Sequence, residues 1–208
     1  MARKYELRQR AKSEEETRLR IVEAAVHLHE AVGDAATTVS AIAEWAGVGR
    51  VTVYRHFPDE RTLLTACTNH YLTVNPLPNP TPWAGIADPE QRLRTALHEL
   101  YAYYRRTEGM MARIEQDAPA NPILDELLTP LREYQTSVRD ILSQGRAPNT
   151  LVMAAIGLAL AFGTWRSLVR DQGLDDAGAV AIMRVLVRWA PLGSGGVAAR
   201  TPWAAENA

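Results

Sequence analysis

Proline stands at every second position from 76 to 82, as Pro76, Pro78, Pro80 and Pro82. Each one fixes φ, withholds a backbone N–H and pushes the residue before it out of the helical region, so no helix crosses this stretch. Residues 75–82 are therefore predicted to form a stiff extended segment that divides the chain in two. On both sides the apolar residues return at three- and four-residue steps, and no run alternates convincingly as a strand would. The expected fold is all-α. The lone Cys67 excludes an internal disulfide and a cysteine-rich zinc site.

Upstream of the prolines, residues 1–13 form a basic arm. Arg3, Lys4, Arg8, Arg10 and Lys12 face a single acid, Glu6, within its first twelve positions, and the arm is predicted to be flexible. From 14 to 32, Ile21, Ala24, Ala25, Leu28 and Val32 mark one face of a helix that Gly33 closes. Thr38 is a candidate N-cap for a short helix with Val39, Ile42, Ala43 and Ala46 inward, which Gly47 interrupts. A second short helix covers 49–56. Phe57-Pro58-Asp59 breaks it, and Asp59 caps a longer helix through Leu63, Leu64, Cys67 and Tyr71.

Two short helices joined by a tight turn form a DNA-reading unit only if they approach closely, at about 90–120°. Residues 39–58 meet that demand in three ways. Ala43 is small where the helices cross, Gly47 is free to take a left-handed turn conformation, and Val48 and Val53 are β-branched plugs between the helices. With Val53 inward, the opposite face of the second helix carries Arg50, Thr52, Tyr54, Arg55 and His56, and residues 48–58 contain no acid. That face suits a polyanion. Arg50 is the candidate for guanine edges, Thr52 for a base or a thymine methyl, and Tyr54, Arg55 and His56 for phosphates. Thr38 and Ser40 begin the first helix, where backbone N–H groups favour a phosphate.

Together these residues resemble the TetR family of transcriptional regulators. The resemblance is carried by Ile21-Val22-Glu23-Ala24-Ala25 with Gly33, by Thr37-Thr38-Val39 and Ile42-Ala43-Glu44, and by Ala46-Gly47-Val48 followed by Thr52-Val53-Tyr54-Arg55-His56-Phe57-Pro58 and Leu63-Leu64. It spans roughly residues 15 to 65; beyond them the chain is similar to the family only in length and helical pattern. It implies a helix-turn-helix three-helix DNA-binding domain with a connecting helix over 14–74, a helical effector-binding and dimerisation domain over 75–191, and a flexible tail over 192–208. The family default is a cytoplasmic repressor that binds an inverted-repeat double-stranded DNA operator as a homodimer and is released by a small molecule.

Three positions depart from the family pattern. His29 stands where an aromatic residue is usual near the end of the first helix, and is expected to be a packed neutral imidazole with a hydrogen bond. Glu60 stands where a phosphate-contacting lysine is common; either its neighbour Arg61 supplies the cation or one backbone contact is absent. Gly49 replaces a hydroxyl residue at the start of the second short helix, which loses a cap bond.

Downstream, helical patterns cover 89–108, 110–117, 122–144, 150–171 and 175–190. One reading unit covers too few base pairs to be selective, and a two-fold dimer sets two of them about 34–36 Å apart. The helices at 150–171 and 175–190 offer the dimer surface. On the first, Leu151, Ala155, Leu158, Phe162 and Trp165 fill one face while Ala154, Gly157, Ala161 and Leu168 widen it; on the second, Val180, Met183 and Val187 are joined by Ile182, Leu186 and Trp189. His98, Tyr101, Tyr104, Met111, Phe162 and Trp165 are the candidate effector contacts, because aromatic and methionine side chains with few charges line apolar cavities. They imply a largely apolar effector, although a plain core has the same composition.

Other functions find little support. No Gly-x-Ser-x-Gly elbow, P-loop or His-Glu-x-x-His sequence is present, so neither catalysis nor a cofactor is expected. Glu23 and His27 share a helix face, but one carboxylate and one imidazole do not make a metal site. The longest apolar stretch, residues 151–163, falls short of the roughly 20 needed to span a membrane. The basic start is followed by charge and not by an apolar run, so a secretory signal is not expected. A formal net charge of -1 confines any DNA contact to a local patch. The competing reading is a dimeric small-ligand-binding sensor without DNA-binding function, of which Glu60 and Gly49 would be the signs.

Overall fold

The computed structural model describes residues 2–146 and 148–191, and among these every regular element is helical. The tail predicted over 192–208 lies outside the described residues. In chain order the helices are α1 (Ala2–Val32), α2 (Val39–Trp45), α3 (Arg50–His56), α4 (Glu60–Val74), α5 (Thr81–Ala84), α6 (Pro89–Asp117), α7 (Pro122–Leu127), α8 (Thr129–Ser143), α9 (Thr150–Leu160), α10 (Phe162–Arg166) and α11 (Asp176–Trp189). Residue contacts gather the chain into two units: Met1–Leu77 with Arg105–Arg132, and Pro78–Tyr104 with the chain from Glu133 onward. The 29-residue α6 contributes its first half to the second unit and its second half to the first.

In the first unit α1 begins at Ala2 and takes in the basic arm expected to be flexible. Its first twenty positions are rich in Ala, Leu, Glu, Gln, Lys and Arg, the residues that lose least on entering a helix. The core gathers Ile21, Ala24 and Ala25 of α1, Ile42 and Ala43 of α2, Val53 and Phe57 at α3, and Leu63 and Cys67 of α4. Burying each large aliphatic side chain contributes about 1.5–3 kcal/mol. Val32, expected inward, is exposed, because the buried stripe of α1 ends on His29 one turn earlier. The Arg18 guanidinium covers the Phe57 ring at 5.0 Å. Burial pushes the Cys67 thiol up to about 12, which leaves it an inert core residue.

The two helices predicted over 89–108 and 110–117 are one. Gly109 marks a crossing and not a break: a Cβ there would stand 3.1 Å from Glu30 Oε1 of α1. The single helix predicted over 122–144 is two, α7 and α8, because Pro130 has no N–H to continue the ladder.

In the second unit, Trp83 of α5 is fully buried and donates from Nε1 to Glu99 at 3.1 Å. Buried Arg92 donates to the carbonyls of Ile86, Ile141 and Gln144, closing the end of α8. The helix predicted over 150–171 breaks at Ala161, which is extended (φ -74°, ψ 130°), and the two halves bend by 66°. Carbonyls freed by the break are taken by α6: Tyr101 donates to Ala159 O at 2.9 Å and Tyr104 to Leu160 O at 2.5 Å. After α10 the chain widens into a π-helical turn over Ser167–Asp171. The break also resets which face is inward. Of the face expected to run through Leu151, Ala155, Leu158, Phe162 and Trp165, Ala155, Phe162 and Trp165 are buried with Val152, Ile156 and Ala159, whereas Leu151 and Leu158 are 41% and 49% exposed.

Candidate nucleic-acid interface

Local chemistry builds the turn between α2 and α3. Thr38 accepts the Ala41 N–H at 3.1 Å and so starts α2. Gly47 has φ +64°, and with the chain turning there the Val48 N–H reaches back to Ala43 O at 3.0 Å. Ala43 and Val53 are buried and Val48 packs against the same cluster, as the spacing predicts. Gly49 precedes α3 without a side-chain cap bond. Asp59 accepts the Thr62 N–H at 2.7 Å and starts α4.

Val53 is the one buried residue of α3 and is 1% exposed. At about 100° per residue, Val51 and Arg55 both lie within roughly 20° of the point opposite it, and they form the outermost ridge of the helix. Tyr54 and Thr52 flank that ridge, about 100° from Val53 on either side, while Arg50 and His56 sit nearer the core. Arg50, Tyr54 and Arg55 are exposed, and Thr52 and His56 half-buried. Thr38 and Ser40 are exposed at the start of α2. His56 Nε2 is shielded and has no hydrogen-bond partner among the described residues. Val51 is 83% exposed and was not among the residues singled out from the sequence. The signal was available, since Val51 precedes the buried Val53 by two positions.

Behind α3, a polar cluster joins the end of α1, the start of α4 and the segment that follows α6. Asp117 Oδ2 accepts the Asp34 N–H at 2.7 Å. Asn121 Oδ1 accepts the N–H groups of Ile123 and Leu124, which orients its amide; Nδ2 then donates to Asp34 at 2.7 Å and to Glu60 at 2.8 Å. Glu60 is thus hydrogen-bonded inside the unit. Arg61, the candidate replacement cation, pairs with Glu126 at 2.9 Å. That pair holds the guanidinium pKa up and the carboxyl pKa down through their mutual hydrogen bond and charge. His29 is buried with Nε2 3.4 Å from Asp34 Oδ1. Burial lowers its pKa against the opposing pull of Asp34 and Asp117, so the imidazole is the packed neutral ring its position implies. His29, Asp34, Glu60, Asp117 and Asn121, with Val39, Ile42, Tyr54, Leu63 and Ile123, border a cavity of about 860 Å³. Asp117 and Asn121 carry no signature in the sequence, because these partners lie 61 to 87 residues away.

Residues 21–67 match the model of the bacterial regulatory proteins of the tetR family. This stretch is a DNA-binding region of the tetR type. The fold extends this match well past residue 67. A TetR-like transcriptional regulator from Rhodococcus sp. RHA1 superposes with a TM-score of 0.63 at 17% identity, over 85% of this chain and 96% of that one. The TetR family transcriptional regulator PfmR from Thermus thermophilus superposes at 0.62 with 22% identity, over 81% and 94%. No curated protein matches the sequence. Like these TetR-family proteins, the chain carries a helix-turn-helix head followed by a helical C-terminal region.

In that C-terminal region the candidate effector contacts separate. Tyr101, Tyr104, Phe162 and Trp165 are buried together, with Tyr104 5.4 Å from Phe162 and 5.9 Å from Trp165 between ring centres. Their polar atoms are already engaged: both tyrosines cap the broken α9, and Trp165 donates to Asp176 at 2.9 Å. Burial drives both phenol pKa values far up, so these tyrosines stay neutral donors. His98 is exposed, and Met111 is buried and belongs to the first unit, whereas the aromatic group belongs to the second.

Proposed function

We propose that this protein is a TetR-family regulator: a sequence-specific transcriptional repressor that binds an inverted-repeat operator as a homodimer and is released by a small, largely apolar effector. The observation that carries the reading is the outward face of α3. A helix of seven residues spends a single side chain, Val53, on the core and turns Arg50, Tyr54 and Arg55 to solvent, with no acid between Val48 and Pro58. Helix-turn-helix proteins place such a helix in the major groove and use its first residues on base edges. Thr38, Ser40, Thr52, Tyr54, Arg55 and His56 are assigned to the surrounding contacts, with Arg61 reaching a phosphate when it leaves Glu126.

For the dimer, α11 supports a second-copy interface. Ala179, Val180, Met183 and Val187 form its buried face, while Ile182, Val185, Leu186 and Trp189 form a second stripe at three- and four-residue steps that is 39–57% exposed. Leu151, Ala154 and Leu158 add an exposed apolar row on α9, which packs against α11. A second copy covering both stripes gives a four-helix interface. The effector lies in the helical region after residue 75. Any effector that favours one spacing of the two heads weakens DNA binding by the factor by which DNA weakens its own binding.

The test is selection from a randomised duplex library by the full-length protein, followed by salt titration of the winning sequence, with Arg50→Ala as the control. Enrichment of an inverted repeat, with affinity falling steeply in salt and lost in Arg50→Ala, supports the repressor reading. No enrichment from a folded dimer at moderate salt overturns it in favour of a ligand sensor.

A further inference from the structure

Val51 is the most exposed large apolar side chain among the described residues, at 83%, and it sits in the middle of a surface otherwise made of cations and hydroxyls. Single exposed valines are common on proteins, and exposure alone assigns nothing. Position does. Val51 shares with Arg55 the ridge of α3 farthest from the buried Val53, and it is the second residue of the helix, in the part that meets base edges in helix-turn-helix docking. The ridge farthest from the core is the one that goes deepest into a groove. There Val51 brings no hydrogen-bond donor or acceptor. Of the groups on the floor of the major groove, the purine N7 and O6 atoms, the amino groups and the thymine O4 are all polar, and the thymine C5 methyl is the one apolar group that projects from it. Pressed against any of the others, a valine would strip water from a polar atom and return nothing.

We propose that Val51 is a specificity-determining residue that selects thymine at one position of each half-site by packing on its C5 methyl. The inference rests on the DNA-binding reading above and names a contact that reading does not contain. Arg50 and Arg55, one residue before it and four after, hold the duplex while Val51 discriminates thymine from cytosine and from the purines at the base it faces. Because Val51 touches little of its own protein, truncating it leaves the fold intact.

The experiment uses the full-length protein and the duplex it selects. Thymines are replaced by uracil one position at a time, symmetrically in both half-sites, which removes a methyl group and leaves every hydrogen-bonding edge unchanged. Affinities at fixed salt are compared for the unmodified protein, Val51→Ala, and Val74→Ala as an exposed valine outside α3. One buried methyl contact corresponds to about fourfold in affinity per half-site and roughly fifteenfold for both. The expected result is one thymine position at which uracil weakens the unmodified protein and Val74→Ala by about that factor and leaves Val51→Ala unaffected. The proposal is overturned if Val51→Ala keeps the full sensitivity to uracil, if the unmodified protein ignores every thymine methyl, or if Val51→Ala weakens all duplexes equally. Failure to select any duplex is a separate outcome, and it removes the DNA-binding reading together with this one.

Discussion

Replacing Gly33 by alanine tests how the end of α1 is tied to the end of α6. Gly33 has φ +89°, and its N–H closes α1 on His29 O at 2.9 Å. An alanine there meets two penalties. The left-handed backbone costs about 1–2 kcal/mol for a residue with a Cβ. The Cβ itself would stand 2.6 Å from Asp117 Oδ2, the atom that accepts the Asp34 N–H at 2.7 Å, so the carboxylate has to withdraw from its partner. Losing a hydrogen bond to a charged acceptor costs about 1.5–3 kcal/mol, and the sum is about 2.5–5 kcal/mol.

Gly47 supplies the internal control. It also has positive φ, +64°, but no atom lies within 4 Å of the position its Cβ would take, so Gly47→Ala carries the backbone cost alone, about 1–2 kcal/mol. Urea unfolding at pH 7, followed by circular dichroism, is expected to place Gly33→Ala about 2 kcal/mol below Gly47→Ala. Adding Asp117→Ala removes the obstructing carboxylate, and in that background Gly33→Ala is expected to cost no more than Gly47→Ala. Equal costs for the two single variants, or an unchanged Gly33→Ala cost without Asp117, would refute the steric argument.

Two further expectations concern stability with pH and assembly. Because burial depresses the His29 pKa below 6.5, the unfolded chain takes up this proton first; the stability linked to the neutral ring is present above pH 6.5 and is lost as pH falls through the folded value. His29→Phe is therefore expected to flatten the fall in urea midpoint between pH 7 and pH 5, and an unchanged slope counts against a neutral buried imidazole. Leu186→Glu places a charge in the exposed stripe of α11 without touching its buried face. Sedimentation is expected to show a monomer that has lost operator affinity, while a dimer of unchanged strength would move the interface elsewhere.

The reading head was legible in the sequence because short-range chemistry specifies it. Thr38 and Asp59 cap the helices that follow them, Gly47 takes the positive φ that the turn demands, and Ala43 and Val53 fall inside by spacing alone. Each of these depends on residues within about one turn of one another, so a linear pattern contains the whole interaction. Even the outward direction of Val51 follows from its two-residue offset from Val53. That it stays uncovered among the described residues is seen only in the folded chain.

Only the tertiary structure could decide the rest. Periodicity reports which face of a helix is apolar and is silent on what that face meets. Leu151 and Leu158 accordingly read as one face with Ala155, Phe162 and Trp165, yet they lie outside while those three are buried, and Val32, expected inward, lies outside too. No proline stands at Ala161, and local propensity would carry a helix through it; the bend is stabilised by Tyr101 and Tyr104, more than fifty residues earlier, which take the carbonyls it frees. The return of residues 105–132 to the first unit, and the Asp34–Asn121–Glu60 bridge within it, rest on partners separated by 61 to 87 positions. Sequence alone determined the helices and the turn that reads as a DNA-binding head, because their energetics are local. Which side chains become the links between distant segments was decided by the fold, because a hydrogen bond across such a separation leaves no periodic trace in the chain.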